Sequence, residues 1–179
     1  MRWISRVVVL SWIPLGFQSP PRSYWLLAKE DGRTWCGYEQ EALFKRAADS
    51  LKPTESARVT FRSDSLTEVT HQVESESGDW IVIDKYTPSD SGILLRRASL
   101  LTQRKLQVIQ DAAIRHGKAE PFRVVRTLTL DGKVTAASGV DLPSVTVQTD
   151  LESMAFMPVV DKMRTRSVGA LCDMVDAGK

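Results

Sequence analysis

The sequence predicts an α+β domain. In it, a curved antiparallel β-meander of about six to eight strands packs against an amino-terminal helix (residues 39–51) and carboxy-terminal helices (about 151–176). Three observations predict this class. Valine and threonine are frequent, and segments between residues 57 and 140 alternate polar and apolar side chains. Apolar residues recur at helical spacing in residues 39–51 and about 151–176. With 179 residues, 42% of them apolar and 26% charged, the chain fits one folded domain over residues 20–179.

Residues 1–19 have the layout of a secretory signal peptide. Arg2 and Arg6 precede an apolar stretch that ends at Phe17, and the first acidic residue of the chain is Glu30. We therefore expect an exported protein, periplasmic or secreted, that is cleaved near residue 19. A buried first strand and a segment on the membrane surface are the alternatives. No apolar run reaches the roughly 18–20 residues of a membrane-spanning helix, so we expect no transmembrane span.

The charge balance argues against a nucleic-acid partner. Removal of residues 1–19 takes away Arg2 and Arg6 and no acid, so the formal charge falls from +2 to zero. The remaining basic side chains are scattered among acids and lack interleaved aromatics, whereas nucleic-acid binding needs a concentrated basic face. We expect no nucleic acid among the partners.

The two cysteines, Cys36 and Cys172, predict one structural disulfide in an exported chain. Two unpaired buried thiols are the alternative for a cytosolic chain. Neither cysteine has a C-x-x-C neighbour or a nearby histidine, so we expect no metal site at these positions.

Residues 24–38 are predicted to form a β-hairpin around Asp31 and Gly32. An Asp-Gly dipeptide is typical of a type I′ turn, in which both central residues have positive φ. Such a turn sets two cross-strand pairs, Trp25 with Tyr38 and Leu27 with Cys36.

Residues 39–51 have helical periodicity. Glu39 and Glu41 lie at the amino end, where the helix dipole favours acids, and Lys52-Pro53 ends the helix because the residue before a proline avoids helical angles. The apolar face consists of Leu43, Phe44, Ala47, Ala48 and Leu51.

A series of antiparallel strands is predicted next. The segments are 58–62, 67–73, 80–86, 93–101, 106–115, 121–130 and 134–137, and the clearest turn signals between them are His116-Gly117 and Asp131-Gly132. Residues 104–115 also fit one face of a helix, but the short spacing between turn signals favours a strand. Residues 142–148 follow as a last strand or an extended loop.

The region from 151 to about 176 predicts one or two helices, broken near Pro158. Met154, Met157 and Met163 recur along it at helical spacing. Packing in the core is the favoured interpretation of these methionines, and an adaptable binding surface is the alternative.

Two of the predicted strands, 80–86 and 93–101, carry apolar residues on both faces, so both faces of the sheet need a cover. The helices can cover one face. The other face is then covered by curling of the sheet or by a partner.

Signatures of catalysis and cofactor binding are absent from the sequence. It has no G-x-S-x-G, H-E-x-x-H, G-x-x-x-x-G-K-[ST] or G-x-G-x-x-G motif. Its two histidines, His71 and His116, are too few for a histidine-rich metal site. We expect no cofactor and no metal, and we favour a non-enzymatic protein.

A row of polar residues, which we call the polar row, is the strongest candidate site. Strand alternation places His71, Asp84 and Arg97 on apolar faces of three strands, and Trp80 and Tyr86 share the face of Asp84. These five residues are the candidates for a ligand face, where the row would orient the polar end of a ligand or supply an acid–base pair. The favoured interpretation is a structural Asp–Arg pair with a satisfied histidine, or an exposed location, since ion-pair networks commonly resemble functional sites. A one-residue slip of register moves a side chain to the other face of the sheet.

The sequence therefore predicts an exported non-enzymatic binding or accessory protein that holds an apolar small molecule or a protein partner on its sheet. The alternative is a hydrolase or lyase with a dispersed site on the polar row. An open apolar cavity lined by Trp80, Val82 and Tyr86 would favour binding. His71 within hydrogen-bond reach of Asp84 in a polar cleft would favour catalysis.

Overall fold

A computed structural model describes residues 20–136 and 140–174, and the predicted signal peptide lies outside these residues. The described chain is an antiparallel sheet of ten strands with two helices, an α+β class. The predicted number of strands was too low. Residues 118–119 form a short strand that was not predicted, and residues 170–174 form a strand where helix was predicted.

The elements follow one another as β1 (Arg22–Ala28), β2 (Thr34–Tyr38), α1 (Glu41–Leu51), β3 (Glu55–Arg62), β4 (Ser65–Glu74), β5 (Trp80–Ser89), β6 (Gly92–Leu101), β7 (Leu106–Arg115), β8 (Lys118–Ala119), β9 (Arg123–Thr129), α2 (Met157–Arg166) and β10 (Ala170–Met174). In the sheet the order is β10-β2-β1-β3-β4-β5-β6-β7, and β7 then pairs with β8 at one end and β9 along the rest. The strands from β3 to β9 form the predicted meander, and residues 104–115 contain a strand rather than a helix.

The first hairpin has the predicted register, with Trp25 opposite Tyr38 and Leu27 opposite Cys36. Its turn is not the predicted type I′, because Gly32 has a positive φ of 62° and Asp31 does not. The Asp31 carboxylate instead accepts hydrogen bonds from the Thr34 hydroxyl and from the backbone amides of Thr34 and Arg33. These bonds lower the pKa of Asp31 to about 2 and hold a longer loop together.

The predicted amino-terminal helix is α1, which begins two residues late and ends at Leu51 as expected. Lys52 has a left-handed φ of 45°, and its amide donates to the carbonyl of Ala48, which closes the last turn before Pro53. The helix contacts β1 and β2.

The predicted carboxy-terminal helices over 151–176 are only partly present. Helix α2 covers 157–166, where Ser167 with a left-handed φ of 50° ends it, and residues 170–174 form β10. Cys172 lies directly opposite Cys36 of β2, and the two form the predicted disulfide. Pairing with β2 and this covalent bond favour the extended backbone over a helix in this segment. Residues 142–148 adopt the extended-loop alternative.

The core lies against one face of the sheet, here called the inner face, which carries buried side chains such as Tyr24, Val59, Tyr86 and Leu95. Residues 151–163 complete this core, and their buried members are Leu151, Met154, Phe156, Met157, Val159, Val160 and Met163. The methionines are therefore core residues. Helix α2 lies so close to β2 that a Cβ at Gly37 would collide with Met163 Sδ, so the glycine permits this packing.

Neither helix in the described part of the chain has the length and apolar character that would let it cross a membrane.

Candidate functional site

The register of the meander brings the polar row together on the inner face. His71 of β4 lies opposite Asp84 of β5, and Asp84 lies opposite Arg97 of β6. Strand alternation, which places every second residue on the same face, thus leads to three polar groups in line across a mainly apolar surface.

Asp84 and Arg97 form a buried bidentate ion pair. Arg97 Nε donates to Asp84 Oδ1 and Nη2 donates to Oδ2, both at 2.7 Å, with side chains only 6% and 2% exposed. Arg97 Nη1 donates to the carbonyl of Val145 at 3.0 Å, and the guanidinium carbon lies 4.8 Å from the ring centroid of Phe122. All three guanidinium nitrogens are engaged, so the arginine joins the sheet to residues 140–150, which we call the crossing segment.

Tyr86 adds a second link between the polar row and the crossing segment. Its hydroxyl donates to Asp84 Oδ2 at 3.3 Å and accepts a hydrogen bond from the amide of Gln148 at 3.3 Å. Burial raises the pKa of this phenol well above its usual value of 10.0, and the nearby charge of Asp84 raises it further. The Tyr86 hydroxyl is therefore neutral, and it links the sheet to the crossing segment.

His71 belongs to a different set of contacts. Its Nε2 pairs with Glu55 Oε1 at 2.7 Å, and its ring lies 5.7 Å from that of Phe156. The Asp84 oxygens are instead bound by Arg97 and Tyr86. The sequence did not reveal Glu55, because it is a diagonal neighbour: it lies two residues before Ala57, the residue opposite His71.

The open apolar cavity that would favour binding is not formed at Val82 and Tyr86, whose side chains are buried. Val82 is 1% exposed and Tyr86 is fully buried, as part of the closed interior. Trp80 is half-buried and lines a small cavity of about 160 Å³ at the end of the strands, together with Leu101 and Asp141. A closed core of this kind leaves Val82 and Tyr86 unavailable to a ligand.

Within residues 20–136 and 140–174, helix covers the opposite, outer face of the sheet at one end only. Leu27 is fully buried on this face, and α1 is the helix that contacts both β1 and β2 there. Farther along the sheet, β5, β6 and β7 present an apolar surface that we call the outer patch: Ile81, Ile83, Leu94, Ala98, Leu100 and Ile109. Leu94 is 56% exposed and the others are half-buried. Of the helices in the described ranges, none packs over this patch.

Charged side chains border the outer patch. Arg96 donates to both oxygens of Asp111, at 2.8 and 2.9 Å, and this hydrogen bonding lowers the pKa of Asp111. Together with Lys85, this pair lines a surface depression of about 280 Å³ beside Leu94. Lys85 also binds Glu68 at 2.6 Å, so acids and bases alternate along this border.

No group of three or more metal-ligating side chains is found among the residues that the structure describes. Comparison with family models, curated proteins and solved structures finds no match to this chain.

Proposed function

We propose that the chain is an exported, non-enzymatic binding or accessory protein that takes a protein partner on the outer patch. The observation that carries this proposal is the contrast between the faces of β5, β6 and β7. Their inner side chains are buried beneath residues 151–163 and the crossing segment. Their outer apolar side chains have no helix over them in the described ranges.

The character of the outer patch supports a protein surface as its occupant. An apolar centre around Ile83, Ala98 and Ile109 lies beside the charged groups of Lys85, Arg96 and Asp111. Protein interfaces have this arrangement, in which an apolar core excludes water and a polar rim sets orientation and specificity. Contiguous exposed apolar surface on a soluble domain is also more typical of an interaction site than of an unused surface.

An apolar small molecule on the inner face has less support. That face packs against residues 151–163 and lies beneath the crossing segment. We infer that the sheet is curved, since side chains from β1 through β7 join one cluster around α2 and the turns before it. Curvature of the sheet around residues 151–163 would bury the apolar side chains of the inner face and leave the outer face for a partner.

The catalytic alternative on the polar row has no observation in its favour. Arg97 occupies both Asp84 oxygens, and His71 pairs with Glu55. A general base must reach the proton that it abstracts, and Asp84 is 1% exposed.

Export is supported by the disulfide, because such bonds persist in oxidising compartments, and by the leader pattern of residues 1–19. Mass spectrometry of the protein from its source cells should find a chain that begins near residue 20 and has no alkylatable thiol. An intact leader together with two free thiols would contradict export.

Site-specific photocrosslinking tests the partner surface. A benzophenone amino acid at Ile83 or at Ile109 is expected to give one adduct of the same size in the source cells, and Leu94→Asp should abolish it. The matched control is the same probe at Ala42, which is exposed on α1 away from the patch. No adduct at either position, or equal adducts at Ala42, would contradict the proposal.

A further inference from the structure

Exposed apolar side chains concentrate at the β9 end of the sheet. Val124, Val125, Leu130 and Val134 are 53%, 56%, 52% and 76% exposed. Residues 127–129 of β9 are flanked by the chain that returns through Val134, which bridges to Leu128. Residues 123–126 pair with β7 on one side, and no described segment pairs with their other side. Among the described residues, this stretch is therefore an open strand edge.

A β-bulge shapes this edge. Arg126 lies opposite Ile109 and Val124 lies opposite Gln110, so Val125 is an extra residue on β9. Residues three apart in a regular strand lie on opposite faces. Because of the bulge, Arg123 and Arg126 are opposite Asp111 and Ile109, which share the outer face. Both arginines are therefore on the same face as the outer patch.

The two arginines are exposed, and neither forms an ion pair within the described residues. Asp111 is the acid opposite Arg123, but Arg96 already binds both of its oxygens. Arg126 is opposite the apolar Ile109. The edge thus presents two unused guanidinium groups beside two exposed valines. Charged side chains on an open edge normally prevent it from pairing with another chain, whereas exposed valines on the same stretch favour such pairing.

We propose that residues 123–126 bind an extended segment of a partner protein that has acidic side chains at alternating positions with apolar residues between them. Backbone pairing along the edge would provide affinity, and the arginines would select carboxylates on the outer face. A second copy of β9 fits poorly, since an antiparallel pair of these strands brings arginines together. This inference rests on the proposed function, because Arg126 continues the row of Ile83, Ala98 and Ile109.

Titration of the full chain with a capped octapeptide of alternating glutamate and valine tests this inference, with calorimetry for affinity and backbone amide NMR shifts for location. We expect binding with the largest shifts at residues 123–126, and no binding of the same peptide with lysine in place of glutamate. The double variant Arg123→Glu/Arg126→Glu should weaken binding at least about tenfold, the scale of losing charge-assisted hydrogen bonds. Its matched control is Lys29→Glu/Arg33→Glu, an equal charge change at the exposed turn before β2, which should leave affinity unchanged.

Equal loss of binding in both double variants, or equal binding of both peptides, would overturn the inference. The inference would also be overturned if the glutamate peptide does not bind and anionic phospholipid vesicles bind through Arg123 and Arg126. If the peptide fails while crosslinks from Ile83 and Ile109 persist, the edge inference falls and the proposed partner surface stands. If the peptide binds and no crosslink forms, the edge inference stands and the proposed use of the outer patch falls.

Discussion

Two adjacent arginines on β6 form the same interaction in opposite environments. Arg97 binds both oxygens of Asp84 on the inner face, where the two side chains are 6% and 2% exposed. Arg96 binds both oxygens of Asp111 on the outer face, where the exposed fractions are 61% and 39%. The geometry is nearly identical, so the difference between the pairs comes from the solvent and from what else each arginine touches.

The comparison shows how burial changes the role of an ion pair. Solvent screens a buried pair only weakly, and each buried charge depends on its partner for stabilisation. The Asp84–Arg97 pair therefore holds the sheet firmly to the crossing segment. An exposed pair contributes little to stability because water and salt screen it. Its groups can therefore exchange partners at little cost, which suits the border of a binding surface.

The largest expected effect comes from breaking the inner pair. Arg97→Ala should lower the free energy of unfolding by about 3–5 kcal/mol, because Asp84 is left as an uncompensated buried charge. Urea denaturation measures this loss. The double variant Asp84→Leu/Arg97→Met, which removes both charges and keeps apolar volume, should recover most of the stability. A loss below about 1 kcal/mol for Arg97→Ala would mean that Asp84 is not buried as described.

A much smaller effect is expected from the outer pair, and it should depend on pH. Arg96 lowers the folded-state pKa of Asp111 below its ordinary 3.8, so the pair stabilises the fold above that value and loses its contribution as the pH falls through the folded pKa. Asp111→Asn should therefore cost a small fraction of the Arg97→Ala loss at neutral pH. The difference from wild type should shrink as the pH falls below 3.8 and the Asp111 carboxylate becomes protonated. A difference that stays constant with pH would contradict the ionic role of Asp111.

Local sequence patterns predicted the features that depend on neighbouring strands. The Asp-Gly turn fixed the pairing of Trp25 with Tyr38, although the loop is longer than a type I′ turn. Alternation within β4, β5 and β6 also placed His71, Asp84 and Arg97 on faces that the register then brings into one row.

The features that sequence reasoning missed depend on distant parts of the chain. Residues 170–174 are extended because they pair with β2, more than 130 residues earlier, and no local periodicity reports that pairing. The partner of His71 was missed because Glu55 reaches it diagonally. The bulge that turns Arg123 and Arg126 to one face depends on an irregular register between β7 and β9, which alternation alone does not reveal.

The most direct test of a closed inner face and an uncovered outer patch compares solvent access to methyl groups on the two faces. A soluble paramagnetic chelate broadens NMR signals of methyl groups that solvent reaches. Strong broadening is expected for Ile83 and Ile109 on the outer patch, and little broadening for Val82 and Leu95 on the inner face. If the methyl groups of Val82 and Leu95 broaden as much as those of Ile83 and Ile109, the inner face is open to solvent. If Ile83 and Ile109 do not broaden, the outer patch is covered. Either result would contradict the contrast between the two faces.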